Sequence, residues 1–558
     1  MKEYIQFYKT FILKYWKLLS LAILFFCFEM SVSLVMPYIT KILLDDVLAN
    51  KDFQRFKTCI TVLIVILVIQ SIASFAKSMI YATVESRIVK DIRLSLFEHC
   101  LKVKAYVFEK MTVGEIIVRL ENDVNKIQQS GIFSLIDVFF QTLSLIGTII
   151  IMFTMEWQLT CVSLVIIGMY FYIYYIMSKK IEKSSKEHRE AETDMIGFIG
   201  DAINGLRMVQ YNNAQNWIKK LSHKQYNNNY DKTLSLNYLW SFNKQLSMVL
   251  ITIAWCALWG FGGYKVLKGI TTVGTIIALT NYQSRLFSPM RLYSQFNNNI
   301  KALKISITRI NEIFNLDIEE EEGFNIDPLE CKGKITLKNL SFKYPESKFD
   351  ILKNVNATFK PGEVTLISGK SGCGKSTLMK LLMKELKPDS GEIILDKQPC
   401  EGLSTSCVRR LISYIPQELD FLKTTIFENI VLGNENVSLD IIDNMAEILD
   451  IKKTIDILPE KYEHQLLSKG NNFSGGQKKR LGILRAFVRN SKVIVFDEVM
   501  SSLDEERRRK IVDLIKNIKK DKTIIVISHY IEDIEYADKV YKFDNGELIE
   551  VSKVMPVT

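Results

Sequence analysis

The sequence contains no internal repeat, no low-complexity tract and no nucleic-acid-binding motif. Its nine cysteines, Cys27, Cys59, Cys100, Cys161, Cys256, Cys331, Cys373, Cys400 and Cys407, are odd in number and lack the CxxC spacing of a metal site. They read as free thiols in lipid or a reducing cytosol. The small-x-small cleavage site of a secretory leader is missing as well. Lys2, Lys9, Lys14 and Lys17 precede an apolar run at 18–38, but that run exceeds the roughly 7 to 15 residues of a leader's apolar core. It predicts an uncleaved membrane helix.

What is present divides into two parts. A chain of 558 residues is too long for one core, and at roughly 150 residues per domain it suggests two to four units. Apolar runs dominate up to about residue 300. Beyond it, short β-branched runs alternate with charged helical stretches and glycines. The net charge of +10 could suit nucleic acid, but many of the Lys and Arg lie between apolar runs, where the inner leaflet of a membrane is the natural partner.

Crossing the hydrocarbon takes about 20 mostly apolar residues. Six stretches qualify as candidates, at 18–38, 58–79, 131–152, 157–177, 247–266 and 271–289, the last the weakest. The long connection after the second carries Arg87, Lys90, Arg93, Lys102, Lys104, Lys110, Arg119 and Lys126. The one after the fourth carries Lys179, Lys180, Lys183, Lys186, Arg189, Arg207, Lys219, Lys220, Lys224, Lys232 and Lys244. The other connections are short and poor in basic residues, so both long ones and both termini are expected in the cytosol. Little Pro and apolar residues at helical spacing predict membrane helices that continue into the cytosol. The acidic run 319–322, with Gly323 and Pro328, breaks the pattern. We therefore expect a membrane domain at 1–315, a linker at 316–332 and a soluble domain at 333–558.

In the soluble part, 334–337, 364–367, 493–496 and 523–527 read as strands and 375–385 as a helix, an α/β alternation. Directly after the strand at 364–367 stand Gly369, Lys370, Ser371, Gly372, Cys373, Gly374, Lys375, Ser376 and Thr377, a complete GxxxxGK[ST] loop. Its glycines let backbone N–H groups point at phosphate oxygens, and the helix N-terminus adds positive potential. Lys375 is expected to reach the β- and γ-phosphates and Ser376 to ligate Mg²⁺. The strand at 493–496 runs into Asp497 and Glu498. Alone, that could be a strand reaching solvent. Beside the loop it predicts a carboxylate for Mg²⁺, Asp497, and a general base for water, Glu498.

The run Phe473, Ser474, Gly475, Gly476 and Gln477, ahead of a basic helical stretch, resembles the signature of ABC ATPases, with Phe473 where Leu is usual. By the same resemblance, Tyr344 is the adenine-stacking aromatic, Gln417 a Mg²⁺- and water-sensing glutamine, Ser502 and Asp504 part of the D-loop, and His529 a switch histidine on the γ-phosphate. Glu498, His529 and Gln417 are then the catalytic set, with Ser376, Gln417 and Asp497 serving the metal. The membrane half is similar to type IV ABC exporters at Gly114, Glu115, Arg119, Asp123, Gly205, Leu206, Gly274, Pro289 and Arg309. In that fold the cytosolic connections end in short coupling helices, expected near 103–110 and 213–221.

The resemblance implies an all-α six-helix membrane domain fused to a P-loop ATPase. ATP and Mg²⁺ would be hydrolysed at sites that each need the Ser474–Gln477 segment of a second chain. A homodimer is the simplest assembly, and a heterodimer stays open. The expected function is ATP-driven export by alternating access across a bacterial inner membrane, with membrane lipid and a small peptide, drug or lipid substrate as partners. The alternative is an ATP-gated channel or sensor. On the sixth stretch, Asn281, Arg285, Ser288 and Gln295 recur on one helical face. An Arg at membrane depth is costly unless it faces water or a partner, so Arg285, Asn281 and Ser288 are expected to line a substrate cavity, with Glu29 as partner or contact.

Overall fold

The computed structural model describes residues 7, 9–109, 111–130, 132–287, 289–319, 321–345, 347, 349–370, 372–434, 437–502, 505–529 and 536–551. The chain forms two compact units, one from Met1–Leu101 and Met111–Leu316, the other from Lys102–Lys110 and Asp317–Thr558.

The first unit is helical. Its main helices are α1 (Trp16–Ile42), α2 (Phe53–Cys100), α3 (Ile132–Met155), α4 (Trp157–Asn204), the short α5 (Leu206–Tyr211), α6 (Gln215–Leu267), α7 (Val273–Phe287) and α8 (Pro289–Phe314). Asp52 opens α2 by accepting the backbone N–H of Arg55 at 3.0 Å, an N-cap. At 1.5 Å per residue, helices of 48, 48 and 53 residues (α2, α4 and α6) are about 70 to 80 Å long. They outrun a hydrocarbon layer of about 30 Å and continue well beyond it.

Five helical stretches among the described residues are long and apolar enough to cross a membrane: Lys9–Leu48, Phe53–Cys100, Val113–Met155, Trp157–Asn204 and Gln215–Leu267. The sixth expected span falls on α7, described over Val273–Phe287 up to Ser288, which lies outside the described residues. The segment at 213–221 differs from expectation. Asn213 sits in a turn with φ of +50° and Gln215 already begins the long α6, so the separate short helix is α5, at Leu206–Tyr211. At 103–110, Ala105–Glu109 form a 3₁₀ turn. Within the second unit, Val103 bridges Ile318 and the backbone N–H of Lys104 donates to the Asp317 carbonyl at 3.0 Å.

The helices of the first unit are held by side chains from distant turns. Asp45, just past α1, accepts the backbone N–H of Gly274 at 2.9 Å at the start of α7. A β-carbon at Gly274 would lie 2.6 Å from the Asp45 carboxyl, so only Gly permits that approach. Glu156, between α3 and α4, pairs with Lys265 near the end of α6 at 2.5 Å, their side chains 14% and 6% exposed.

The second unit contains two sheets. An antiparallel sheet has the order β2-β1-β4-β5, from β1 (Ile335–Phe342), β2 (Leu352–Phe359), β4 (Ser390–Leu395) and β5 (Gln398–Pro399). A six-stranded sheet has the order β10-β9-β3-β8-β7-β6, from β3 (Val364–Gly369), β6 (Ile412–Ile415), β7 (Val493–Asp497), β8 (Thr523–Ile527), β9 (Lys539–Asp544) and β10 (Glu547–Val551). All its pairings are parallel except β9 with β10. β7 and β8 are buried along their whole length, which explains why they read as continuous apolar runs rather than alternating ones. Each fully buried Val, Ile or Phe contributes about 1.5 to 3 kcal/mol. Helices α9 (Lys375–Leu382), α10 (Gly475–Val488) and α11 (Glu505–Ile518) pack around this sheet.

Candidate active site

Strands β3, β7 and β8 are consecutive parallel neighbours, so their carboxyl ends open on one edge of the sheet. That edge is where open α/β sheets bind ligands. β3 delivers the Gly369–Thr377 loop, β7 delivers Asp497 and Glu498, and β8 delivers His529.

The loop turns into α9 through Gly374, whose φ of +115° an L side chain rarely adopts. A β-carbon at Gly369 would lie 2.8 Å from that of Phe543 and 3.0 Å from Cys373 Sγ. No side chain caps α9, which leaves its first N–H groups for an external anion. The Lys375 ammonium, on a side chain only 7% exposed, donates to the carbonyls of Gly369 at 2.6 Å and Lys370 at 3.0 Å. Both are neutral acceptors, so an anionic phosphate oxygen would be a better partner for this buried cation. Ser376 is exposed and Thr377 buried; Ser371 lies outside the described residues. Tyr344 stands half-buried near the loop, its hydroxyl 3.4 Å from Thr377 Oγ1. Gln417 is exposed in a bend just after β6.

Glu498 has left-handed backbone, φ +52°, with its N–H donating to the Ile527 carbonyl at 3.0 Å. Such a conformation in a non-glycine costs about 1 to 3 kcal/mol and concentrates at functional sites. His529 bridges the two motifs: Nε2 contacts Glu498 Oε1 and Nδ1 lies 2.8 Å from the Gly369 carbonyl. Both partners accept, so the two contacts are satisfied together when each ring nitrogen carries a hydrogen. Asp497 is 7% exposed, and its Oδ2 accepts from the Tyr414 hydroxyl at 2.7 Å. Burial pushes the Asp497 carboxyl above its ordinary value, while the Tyr414 hydrogen bond opposes the rise. Burial, with Asp497 adding to it, pushes the Tyr414 phenol up strongly. A carboxylate and a hydroxyl are hard oxygen donors, and Asp497 with Ser376 suits Mg²⁺ in kind.

The signature segment opens α10. Ser474 Oγ accepts the Gln477 N–H at 3.3 Å and Gln477 Oε1 accepts the Ser474 N–H at 2.8 Å, a capping box that sets the helix start. Ser474 and Gly475 are exposed. Phe473 is 8% exposed within the apolar core around α10, so the unusual residue serves packing. Ser502 ends a 3₁₀ turn, Val499–Ser502, and Asp504 lies outside the described residues.

Two residues of this site escaped the motifs. Tyr414 is one. The other is Lys479 of α10, whose ammonium lies 3.3 Å from the Glu498 carbonyl and is held below its ordinary value by burial, with Glu498 opposing. Tyr414 stands three residues before Gln417 and Lys479 two after Gln477, so both adjoin a motif, but the pattern does not name the partner of either.

The membrane candidates are only partly brought together. On α7, Asn281 is exposed and Arg285 half-buried, while Leu279, Tyr282, Gln283 and Leu286 are buried on the opposite side. Ser288 lies outside the described residues. Glu29 is not the partner of Arg285. It pairs with Lys77 of α2, both side chains 16% exposed, and the Lys77 ammonium sits 4.4 Å from the Phe26 ring centre. The neighbouring α1 and α2 face Glu29 toward that cation. Gln283 has neither amide atom hydrogen-bonded.

Cys373 is half-buried within the loop, its Sγ 3.9 Å from the Lys375 ammonium. A maleimide on that sulfur would fill the space of the bound phosphates. Maleimide treatment is therefore expected to remove most ATP hydrolysis, with bound ATP protecting and Cys373→Ala resistant. An equally sensitive Ala variant would assign the effect to another thiol.

The model of the ABC transporter transmembrane region matches residues 19–290 and that of the ABC transporter ATPase matches residues 352–501. Relatives from Staphylococcus aureus strains NCTC 8325 and COL, each named "Putative multidrug export ATP-binding/permease protein", are 26% identical over 98% of this chain and 96% of their own. A solved bacterial Atm1-family ABC exporter with ATP bound is similar in fold, with TM-score 0.75 and 19% identity over 96% of this chain and 94% of its own. With a membrane region and an ATPase matched in that order on one chain, the protein belongs to the ABC transporters, as an exporter-type fusion in which ATP hydrolysis is coupled to transport.

Proposed function

We propose that two copies of this chain form an exporter that alternates between inward- and outward-open states in a bacterial inner membrane, both termini cytosolic. The observation that carries this reading is the convergence at one sheet edge of Lys375, Asp497, Glu498 and His529. A single chain offers one phosphate loop and one signature segment, and the open, exposed start of α10 suits the γ-phosphate of a second chain's nucleotide. Tyr344 would stack on adenine. The Gly369–Thr377 loop would hold the phosphates, and Ser376, Asp497 and Gln417 the Mg²⁺, which supplies charge neutralisation on phosphate oxygens when bound. Glu498 would take the proton of the attacking water at its carboxylate, oriented by His529. Ser502 and Asp504 would meet the partner across the interface.

The substrate class is a small peptide, drug or lipid. Purified protein reconstituted into vesicles should take up such a substrate only with hydrolysable ATP. Steady ATP hydrolysis without net movement of any panel member would sink the export reading. Arg285, with Asn281 and Ser288, would line the cavity. Arg285→Glu is expected to leave folding and basal ATPase near wild type yet abolish substrate stimulation and transport. A verified substrate still carried at the wild-type rate would remove Arg285 from that role.

A further inference from the structure

Tyr414 is the third residue of β6, two positions before Pro416 and three before Gln417. β6 runs parallel to β7 with Tyr414 beside Val495 and Ile415 beside Phe496. Val495 and Asp497, two apart on one strand, share a face of the sheet. The phenol of Tyr414 is long enough to reach diagonally forward to Asp497, and its hydroxyl donates to Oδ2 at 2.7 Å. Among the described residues the Asp497 side chain makes no other hydrogen bond, so one carboxylate oxygen is committed and the other remains available. The same tyrosine anchors the strand that leads into Gln417.

We propose that Tyr414 is a positioning residue for the nucleotide-bound metal. It holds the Asp497 side chain in one rotamer with Oδ1 available, and it ties that carboxylate to the root of the Gln417 segment. A phenylalanine would fill the same space and leave the carboxylate free to rotate in a buried site. The inference rests on the reading that Asp497 serves Mg²⁺.

The test uses full-length protein in detergent, with Mn²⁺ as an EPR-visible probe titrated in the presence of a non-hydrolysable ATP analogue. In Tyr414→Phe the Mn²⁺ half-saturation is expected to rise by about tenfold, the scale of losing one hydrogen bond to a charged group. Metal-free nucleotide affinity should change by less than about a factor of two, since the phosphate loop is untouched. In hydrolysis assays the Mg²⁺ half-saturation should shift by a similar factor, with the rate at saturating Mg²⁺ largely restored. A merely structural role would move stability and nucleotide affinity together and would not split the two. Tyr414→Met gives the same comparison if the Phe variant lowers the yield of folded protein. An unchanged Mn²⁺ half-saturation in the folded variant overturns the inference. Asp497→Asn separates the two levels: wild-type Mn²⁺ binding in that variant would overturn the metal assignment itself, whereas loss there with none in Tyr414→Phe would overturn only the role of the tyrosine.

Discussion

Glu498→Gln should bind ATP as tightly as wild type and hydrolyse it slower by about 10² to 10⁴. The phosphate contacts come from the loop and α9, which the substitution does not touch, so binding survives. Glutamine keeps the size and the left-handed backbone position of residue 498 but cannot accept the proton of an attacking water. His529 contacts Glu498 through Nε2 and the Gly369 carbonyl through Nδ1, so the neutral amide also weakens the bridge between the loop and β7. The two effects act in the same direction on turnover. Binding measured with a fluorescent ATP analogue and phosphate release measured at saturating ATP separate nucleotide affinity from turnover. Steady-state hydrolysis within about a factor of two of wild type would remove Glu498 from the general-base role.

Glu156→Gln should be the most destabilising of the conservative changes in the helical unit. The Glu156–Lys265 pair is 2.5 Å apart with both side chains largely buried, and it joins segments 109 residues apart. Removing one partner leaves the other charge in a medium that solvates it poorly, at a cost of about 3 to 5 kcal/mol. Lys265→Met should cost a similar amount. The double variant, with no charge left to bury, should recover most of the loss, because desolvating the intact pair consumes much of its attraction. Thermal unfolding in detergent over this cycle measures the coupling. Additive losses in the double variant would mean that the pair contributes through packing alone.

The parts of the site that could be read along the chain are those whose chemistry demands contiguous residues. A phosphate loop must place its glycines, lysine and hydroxyl within one turn between a strand and a helix, and it therefore leaves an uninterrupted pattern. The signature segment does the same, because a capping box spans four positions. Fully buried parallel strands were legible as well, since β7 and β8 have no solvent face to interrupt their apolar runs.

The sequence by itself thus determined the fold class, a helical membrane unit ahead of an α/β ATPase, and the family. Only the tertiary structure decided which distant side chains meet. The Glu29–Lys77, Tyr414–Asp497 and Glu156–Lys265 contacts span 48, 83 and 109 residues. Each depends on the rotation of one helix or the register of one strand against its neighbour. Helical periodicity identifies a polar face, as it did for Asn281 and Arg285, but not the partner opposite it, which is why Glu29 was expected at Arg285 and is found at Lys77. Strand order has the same standing: β3, β8 and β7 are adjacent although long stretches of chain separate them, and that adjacency brings His529 between Gly369 and Glu498.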